Sequence, residues 1–328
     1  MMYFEVIAGF ALLLGAAEYM VRGSVALAKK ANISPLIIGM TIIAIGTSAP
    51  ELVVGLDAAM SGSPGMALAN VVGSNIANVL LILGAAGLVA TIASKEGSLL
   101  RDGIVLIGGS VLFAFFCMSG EISSINGIIL VSALGLFLTA SYFRVRKEQG
   151  NSDAELHMEE VDEVGNLPNK MWIILLALLG GLAGVVFGAD LLVEGSVEIA
   201  RSFDVSEEVI GLTIVALGTS LPELAASVVA ALRGHADVAI GNVVGSNLFN
   251  ILGIAGVVAI VSPLPVVDQI LSFDLWVMLA ATIAILPMLV LGWRLSRLTA
   301  IVFLMLYCGY IAMQGYGVDK VLEMVNLI

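Results

Sequence analysis

One stretch of 38 residues occurs twice in this chain. Residues 47–84 read TSAPELVVGLDAAMSGSPGMALANVVGSNIANVLLILG, and residues 219–256 read TSLPELAASVVAALRGHADVAIGNVVGSNLFNILGIAG. The offset is 172 with no gap, and 19 of the 38 positions are identical. Shared hydrophobicity would repeat Leu and Val, but here the polar residues match best. The same offset aligns Gly23-Ser24 with Gly195-Ser196, and Glu18 with Asp190. A chain that repeats itself this closely folds as two equivalent units.

Both copies sit inside apolar runs. Of the 328 residues, 59% are hydrophobic and 12% charged, and the mean hydropathy is +1.07. A soluble domain needs more polar surface than this, so the bilayer is the expected solvent. Ten segments approach the length of about 20 residues that spans a bilayer. They are 3–28, 36–60, 66–93, 103–118, 124–143, 171–199, 208–232, 237–260, 273–292 and 298–316. Helices are expected because backbone polar groups in hydrocarbon must be satisfied within the segment. The first run carries Glu5 instead of a basic patch and continues to about Ala28, so it reads as a membrane helix and not as a cleaved signal.

The expected fold is an all-α polytopic membrane protein of ten helices in two five-helix repeats, 1–143 and 171–328. Five is odd, so the second repeat enters the membrane from the opposite side and the two are inverted. That architecture puts substrate sites near the midplane, at the repeat interface, on interrupted helices. Between the repeats, residues 144–170 carry Asp153, Glu155, Glu159, Glu160, Asp162 and Glu163 without apolar periodicity, as a solvated linker does. They lack the D-x-[DN]-x-[DN]-G calcium loop.

With the N-terminus outside, the inner breaks hold Lys29, Lys30, Lys95, Arg101, Arg144, Arg146, Lys147, Lys170, Arg233, Arg294 and Arg297, and the outer ones hold Arg201 and Lys320. This asymmetry puts both termini outside the cytoplasm and the acidic linker within it. A cell (inner) membrane location follows. The formal net charge of −12 does not imply a basic partner, because many of the acids lie in the linker and several in apolar segments. Nucleic acid is not expected to bind, and the sequence names no protein partner. Cys117 and Cys308 lie in apolar stretches, and His157 and His235 match no ligand motif.

The chemistry sits in the repeat. Gly46-Thr47-Ser48-Ala49-Pro50-Glu51 returns as Gly218-Thr219-Ser220-Leu221-Pro222-Glu223. Proline removes an amide donor from its helix, which leaves the carbonyl of Gly46 or Gly218 without its partner. Freed carbonyls in hydrocarbon are costly unless they line a polar cavity or bind a cation. An ionised acid at the bilayer centre costs roughly 3 kcal/mol or more. Glu51 and Glu223, at equivalent positions, therefore point to a bound cation.

The second motif, Asn70-Val71-Val72-Gly73-Ser74-Asn75-Ile76-Ala77-Asn78, returns as Asn242-Val243-Val244-Gly245-Ser246-Asn247-Leu248-Phe249-Asn250. Ser74 and Asn78 share a helix face, as do Ser246 and Asn250, and these four are expected ligands. Asn75 and Asn247 lie one position round the helix and are weaker candidates. Gly73 and Gly245 are expected to admit a neighbouring helix closely. All these ligands are hard oxygens, which suit sodium, or calcium with its 6–8 oxygens at about 2.3–2.6 Å. They do not suit zinc or copper. Two carboxylates balance one divalent or two monovalent ions. Glu18 and Arg22, at i,i+4, read as a local ion pair. Asp190 has Glu194 one turn on, and Asp57 is matched by Val229, so neither belongs to the symmetric set.

At these residues the chain resembles the cation/calcium exchanger superfamily, and within it the prokaryotic sodium/calcium exchangers. The paired GTS-x-PE and GN-x-VGSN motifs carry the resemblance, with Ala69-Asn70 in the first copy against Gly241-Asn242 in the second. The resemblance implies a secondary antiporter with Glu51 and Glu223 as central calcium ligands, joined by the carbonyls of Thr47 and Thr219. It implies sodium sites from Ser48, Ser74, Ser220 and Ser246 with the carbonyls of Ala44 and Ala216. Asn78 and Asn250 would sit beside the central site, and the first and sixth helices would slide to alternate access. No cofactor is implied beyond the transported calcium and sodium. Potassium-dependent relatives carry aspartate at the position of Asn250, so asparagine favours potassium-independent exchange. Calcium/proton exchangers carry GN-x-x-E; its absence here favours sodium coupling and leaves calcium/proton antiport as the alternative reading. A channel usually carries a filter loop, and no H-E-x-x-H, G-x-S-x-G or P-loop motif suggests an enzyme.

Overall fold

A computed structural model describes residues 2–92, 99–148, 167–168, 170–203, 214 and 216–318. The chain runs as helices α1 (Met2–Ala31), α2 (Pro35–Met60), α3 (Pro64–Val89), α4 (Leu99–Cys117), α5 (Ser124–Glu148), α6 (Met171–Ser202), α7 (Leu221–Leu232), α8 (Ala236–Val261), α9 (Ile270–Leu291) and α10 (Arg297–Tyr316). Two-residue strands β1 (Glu121–Ile122) and β2 (Leu264–Pro265) pair antiparallel, with Ile122 opposite Leu264. Local chemistry sets several helix starts. Ser34 Oγ accepts the Leu36 N–H ahead of Pro35, and Ser296 Oγ accepts that of Thr299.

Among the described residues, eight helices are long and apolar enough to cross a membrane. That is two fewer than the ten expected spans. The fourth span falls on α4, whose 19 residues rise about 28 Å. Only 12 helical residues of the seventh are described in α7, because 204–213 and 215 lie outside the described set. Helix α5 does not stop at 143 but continues through Arg144, Arg146 and Lys147 to Glu148. The acidic run itself lies outside the described residues.

Large apolar side chains face outward on most helices: Phe115, Leu136, Trp172 and Leu298 are all more than 60% exposed. A surface of that kind is stable against lipid and not against water. By contrast, α3 and α8 are enclosed, with 78% and 83% of their apolar windows buried against 11–50% in the other six.

Two compact units divide the chain, and each draws on both sequence halves. The first comprises 1–50 with 136–246, and the second 51–135 with 247–328. In the first unit, α1 and α6 run antiparallel in backbone contact. A Cβ on Gly9 would stand 2.6 Å from the Leu192 nitrogen, one on Gly188 2.6 Å from that of Leu13, and one on Gly181 2.5 Å from that of Met20. Small residues at these steps let the helices pack by dispersion where lipid offers no hydrophobic drive. Leu13, Met20, Val21, Ile43, Leu178 and Val185 fill the core of this unit. Glu18 pairs with Arg22, as its i,i+4 spacing predicts, and also with Arg233 beyond the end of α7, each through a guanidinium Nε at 2.6 Å. In the second unit, α3 packs against α9, α10 and the second part of α8.

Candidate cation site

The proline motifs do interrupt their helices, and in the same way. In α2 the chain breaks at Ser48 (φ −85°, ψ 7°), and before α7 it breaks at Ser220 (φ −90°, ψ 2°). Both serines occupy the sparsely allowed bridge between helix and strand, two residues before the proline, where functional residues often sit. The second motif adds a distortion that no residue type announced. Helix α3 turns to π geometry over Asn78–Leu83 and α8 over Phe249–Ile254. Such turns cluster at functional sites. The offset of 172 maps Asn78 onto Asn250, so both asparagines lie at the start of these turns.

In the first unit the two copies of the proline motif meet. Ser48 Oγ donates to Glu223 Oε1 at 2.8 Å, with both side chains buried. Thr47 Oγ1 stands 3.3 Å from Asn242 Oδ1 and 3.4 Å from the Ala44 carbonyl. Asn242 Nδ2 reaches Ser227 Oγ at 3.0 Å and the Glu223 carbonyl at 3.4 Å. Three oxygens remain buried without a hydrogen-bond partner among the described residues: Glu223 Oε2 and the hydroxyls of Thr219 and Ser246. Buried polar atoms are almost always partnered, so three orphaned oxygens in one unit, one of them on a carboxylate, mark it as a candidate ion site. Ala216 opens the short helical turn Ala216–Gly218 ahead of Ser220.

In the second unit, Glu51 is buried in the first turn after the break, and Ser74 is buried on α3. Asn78 Nδ2 donates to Asn247 Oδ1 at 3.0 Å, which leaves Asn78 Oδ1 and both polar atoms of Asn250 buried without a partner among the described residues. Asn75 turns its amide to the Val71 carbonyl one turn back, at 2.7 Å. The weaker candidates thus separate: Asn75 Nδ2 is spent locally, while Asn247 holds Asn78. Asp57 and Asp190 are exposed. Asp274 is buried too, but Gln269, Tyr310 and Gln314 all donate to its carboxylate. A carboxylate so supplied has no need of a cation, which sets it apart from Glu223.

The glycines are not equivalent. A Cβ on Gly245 would collide with the Met40 carbonyl and Cα, as a close helix approach requires, whereas one on Gly73 would meet nothing within 4 Å. The expected close approach therefore holds in the second copy and not in the first. Asn242 and Ser227 are the polar residues that sequence reasoning passed over. Asn242 is identical in the two copies and lies four residues before Ser246, on the face that Ser246 shares with Asn250.

A family model described as "Sodium/calcium exchanger protein" matches residues 2–143 and 173–316. The chain belongs to the sodium/calcium exchanger family. CaxA of Alkalimonas amylolytica is 39% identical to this family member, over 93% of the chain and 96% of the relative. Sodium/calcium exchanger MaX1 of Methanosarcina acetivorans is 33% identical over 94% and 97%. Among solved structures, the sodium-calcium exchanger NCX_Mj, soaked with zero sodium and calcium, superposes with a TM-score of 0.82. It is 31% identical, and the match covers 95% of this chain and 98% of that one. With these matches the exposed apolar helices have their setting: the chain is a polytopic helical membrane protein.

Proposed function

We propose that this chain exchanges sodium for calcium across the membrane by alternating access, with Glu51 and Glu223 as the central calcium ligands. The carbonyls of Thr47 and Thr219 join them. Ser48, Ser220, Ser74 and Ser246, with the carbonyls of Ala44 and Ala216, form sodium sites, and Asn78 and Asn250 flank the centre. One observation carries the reading: Glu223 is buried with one oxygen held by Ser48 and the other without a hydrogen-bond partner among the described residues. The family membership and the neighbours' names agree with it.

The coupling follows from charge. Two ionised carboxylates cannot be carried bare through hydrocarbon at several kcal/mol each. One calcium ion neutralises both, and so do two sodium ions. A loaded carrier can reorient and an empty one cannot, which makes transport an exchange. In this reading the halves are inverted repeats in a cell membrane, the termini are extracytoplasmic and the linker is cytoplasmic.

Radioactive calcium uptake into proteoliposomes tests the proposal. An outward sodium gradient is expected to drive uptake without potassium, and a proton gradient is not. Uptake that requires protons and ignores sodium overturns the sodium assignment.

A further inference from the structure

Asn242 lies on α8, fully buried, and its orientation is fixed by what faces it. A backbone carbonyl can only accept, so the amide atom turned to the Glu223 carbonyl at 3.4 Å is Nδ2, and Ser227 Oγ takes the other Nδ2 hydrogen at 3.0 Å. Oδ1 is thereby left facing Thr47. The Thr47 hydroxyl has one proton, and beside the Glu223 carboxylate it faces two neutral acceptors, Asn242 Oδ1 at 3.3 Å and the Ala44 carbonyl at 3.4 Å. Both distances exceed the usual O–H···O length of about 2.7–2.8 Å, as a shared, three-centre bond requires. The Ala44 carbonyl already accepts the Ser48 N–H at 3.0 Å. A carbonyl oxygen has two lone pairs, so only one is contested.

We propose that Asn242 is a positioning residue that sets sodium affinity, by drawing the Thr47 hydroxyl proton away from the Ala44 carbonyl and leaving that oxygen free to bind the ion. The inference rests on the exchange reading above, in which the Ala44 carbonyl is a sodium ligand. Without Asn242, the threonine hydroxyl turns back on its own helix and occupies the lone pair that sodium needs. Position 55, which matches Ser227, is glycine, so the first copy of the repeat lacks the serine that holds the Asn242 amide in the second.

Calcium uptake driven by sodium in proteoliposomes tests this, with half-saturation measured separately for each ion. Asn242→Ala is expected to raise the sodium half-saturation about fivefold, the equivalent of one ordinary hydrogen bond, and to leave the calcium KM within about twofold. Adding Thr47→Val removes the competing hydroxyl, so the double variant should recover sodium affinity relative to Asn242→Ala alone. A purely structural role predicts the reverse, with the double variant no better than the single one and both ions weakened together. Either of those results overturns the proposal, as does an unchanged sodium half-saturation in a parent that exchanges normally. If Asn242→Ala does not fold, Ser227→Ala loosens the amide and leaves the acceptor in place, and it should show the same split at smaller size. Its absence also overturns the role. A parent without sodium-driven uptake overturns the exchange reading and this inference with it.

Discussion

Glu223 is the residue at which the motif and the geometry agree most closely. Its place after a helix-breaking proline marks it in the sequence, and its structure is that of a carboxylate half-served: Ser48 on one oxygen, nothing among the described residues on the other. Replacing it with glutamine keeps the size and one acceptor oxygen but removes the charge that offsets a cation. Glu223→Gln, and equally Glu51→Gln, is expected to lower exchange by more than about 100-fold, beyond the 10–100-fold loss typical of groups one shell out. Both should elute as monodisperse, folded protein. Transport at the parent rate by both variants removes the site assignment. What the sequence did not reveal at this scale is which polar neighbours spend their hydrogen bonds locally. Asn75 and Asn78 look alike on paper, yet one turns to its own helix and the other reaches Asn247. Side-chain direction decides that, and a repeat count does not contain it.

At the scale of elements, the proline breaks were legible because proline cannot donate, and the structure puts them at Ser48 and Ser220. The π turns at Asn78–Leu83 and Phe249–Ile254 were not, since no residue type is specific for an i→i+5 bond. Nor did the repeat show that Gly245 is packed while Gly73 is open. That difference comes from the neighbouring helix and not from the motif. Helix α6 offers a sharper case of the same lesson in Gly180 and Gly181. One step along a helix rotates the Cβ by about 100°. A Cβ on Gly181 would stand 2.5 Å from the Met20 nitrogen, where backbone must yield, while one on Gly180 meets only the far end of Leu176 at 3.9 Å. Gly181→Ala should therefore destabilise the detergent-solubilised protein by about 1–3 kcal/mol, as overpacking does. Gly180→Ala should change stability by no more than about 0.5 kcal/mol. Thermal unfolding of the two variants side by side checks this, and equal shifts contradict the close packing of α1 on α6.

At the scale of the whole molecule, the compact units cut across the halves that the repeat defines. Sequence similarity follows duplication, whereas compactness follows which helices bury one another, and each unit takes members from both halves. The sidedness of the chain is a matter of charge. Eleven basic residues fall on one set of the expected breaks and two on the other. Arg233, beyond the end of α7, binds Glu18 on the C-terminal half of α1. His235, in the same turn, has its pKa lowered by burial and then by the charge of Lys29 at the end of α1. These bases therefore lie together at one end of the unit. The acidic linker is expected on the cytoplasmic face, because acids contribute little to orientation. Cysteine labelling reads this directly. In a background with Cys117→Ala and Cys308→Ala, Ser61→Cys, exposed between α2 and α3, should react with an impermeant maleimide in intact cells. Asn151→Cys in the linker should react only after lysis. Labelling of Asn151→Cys in intact cells, with Ser61→Cys protected, would invert the topology and with it the direction in which each break of the repeat faces.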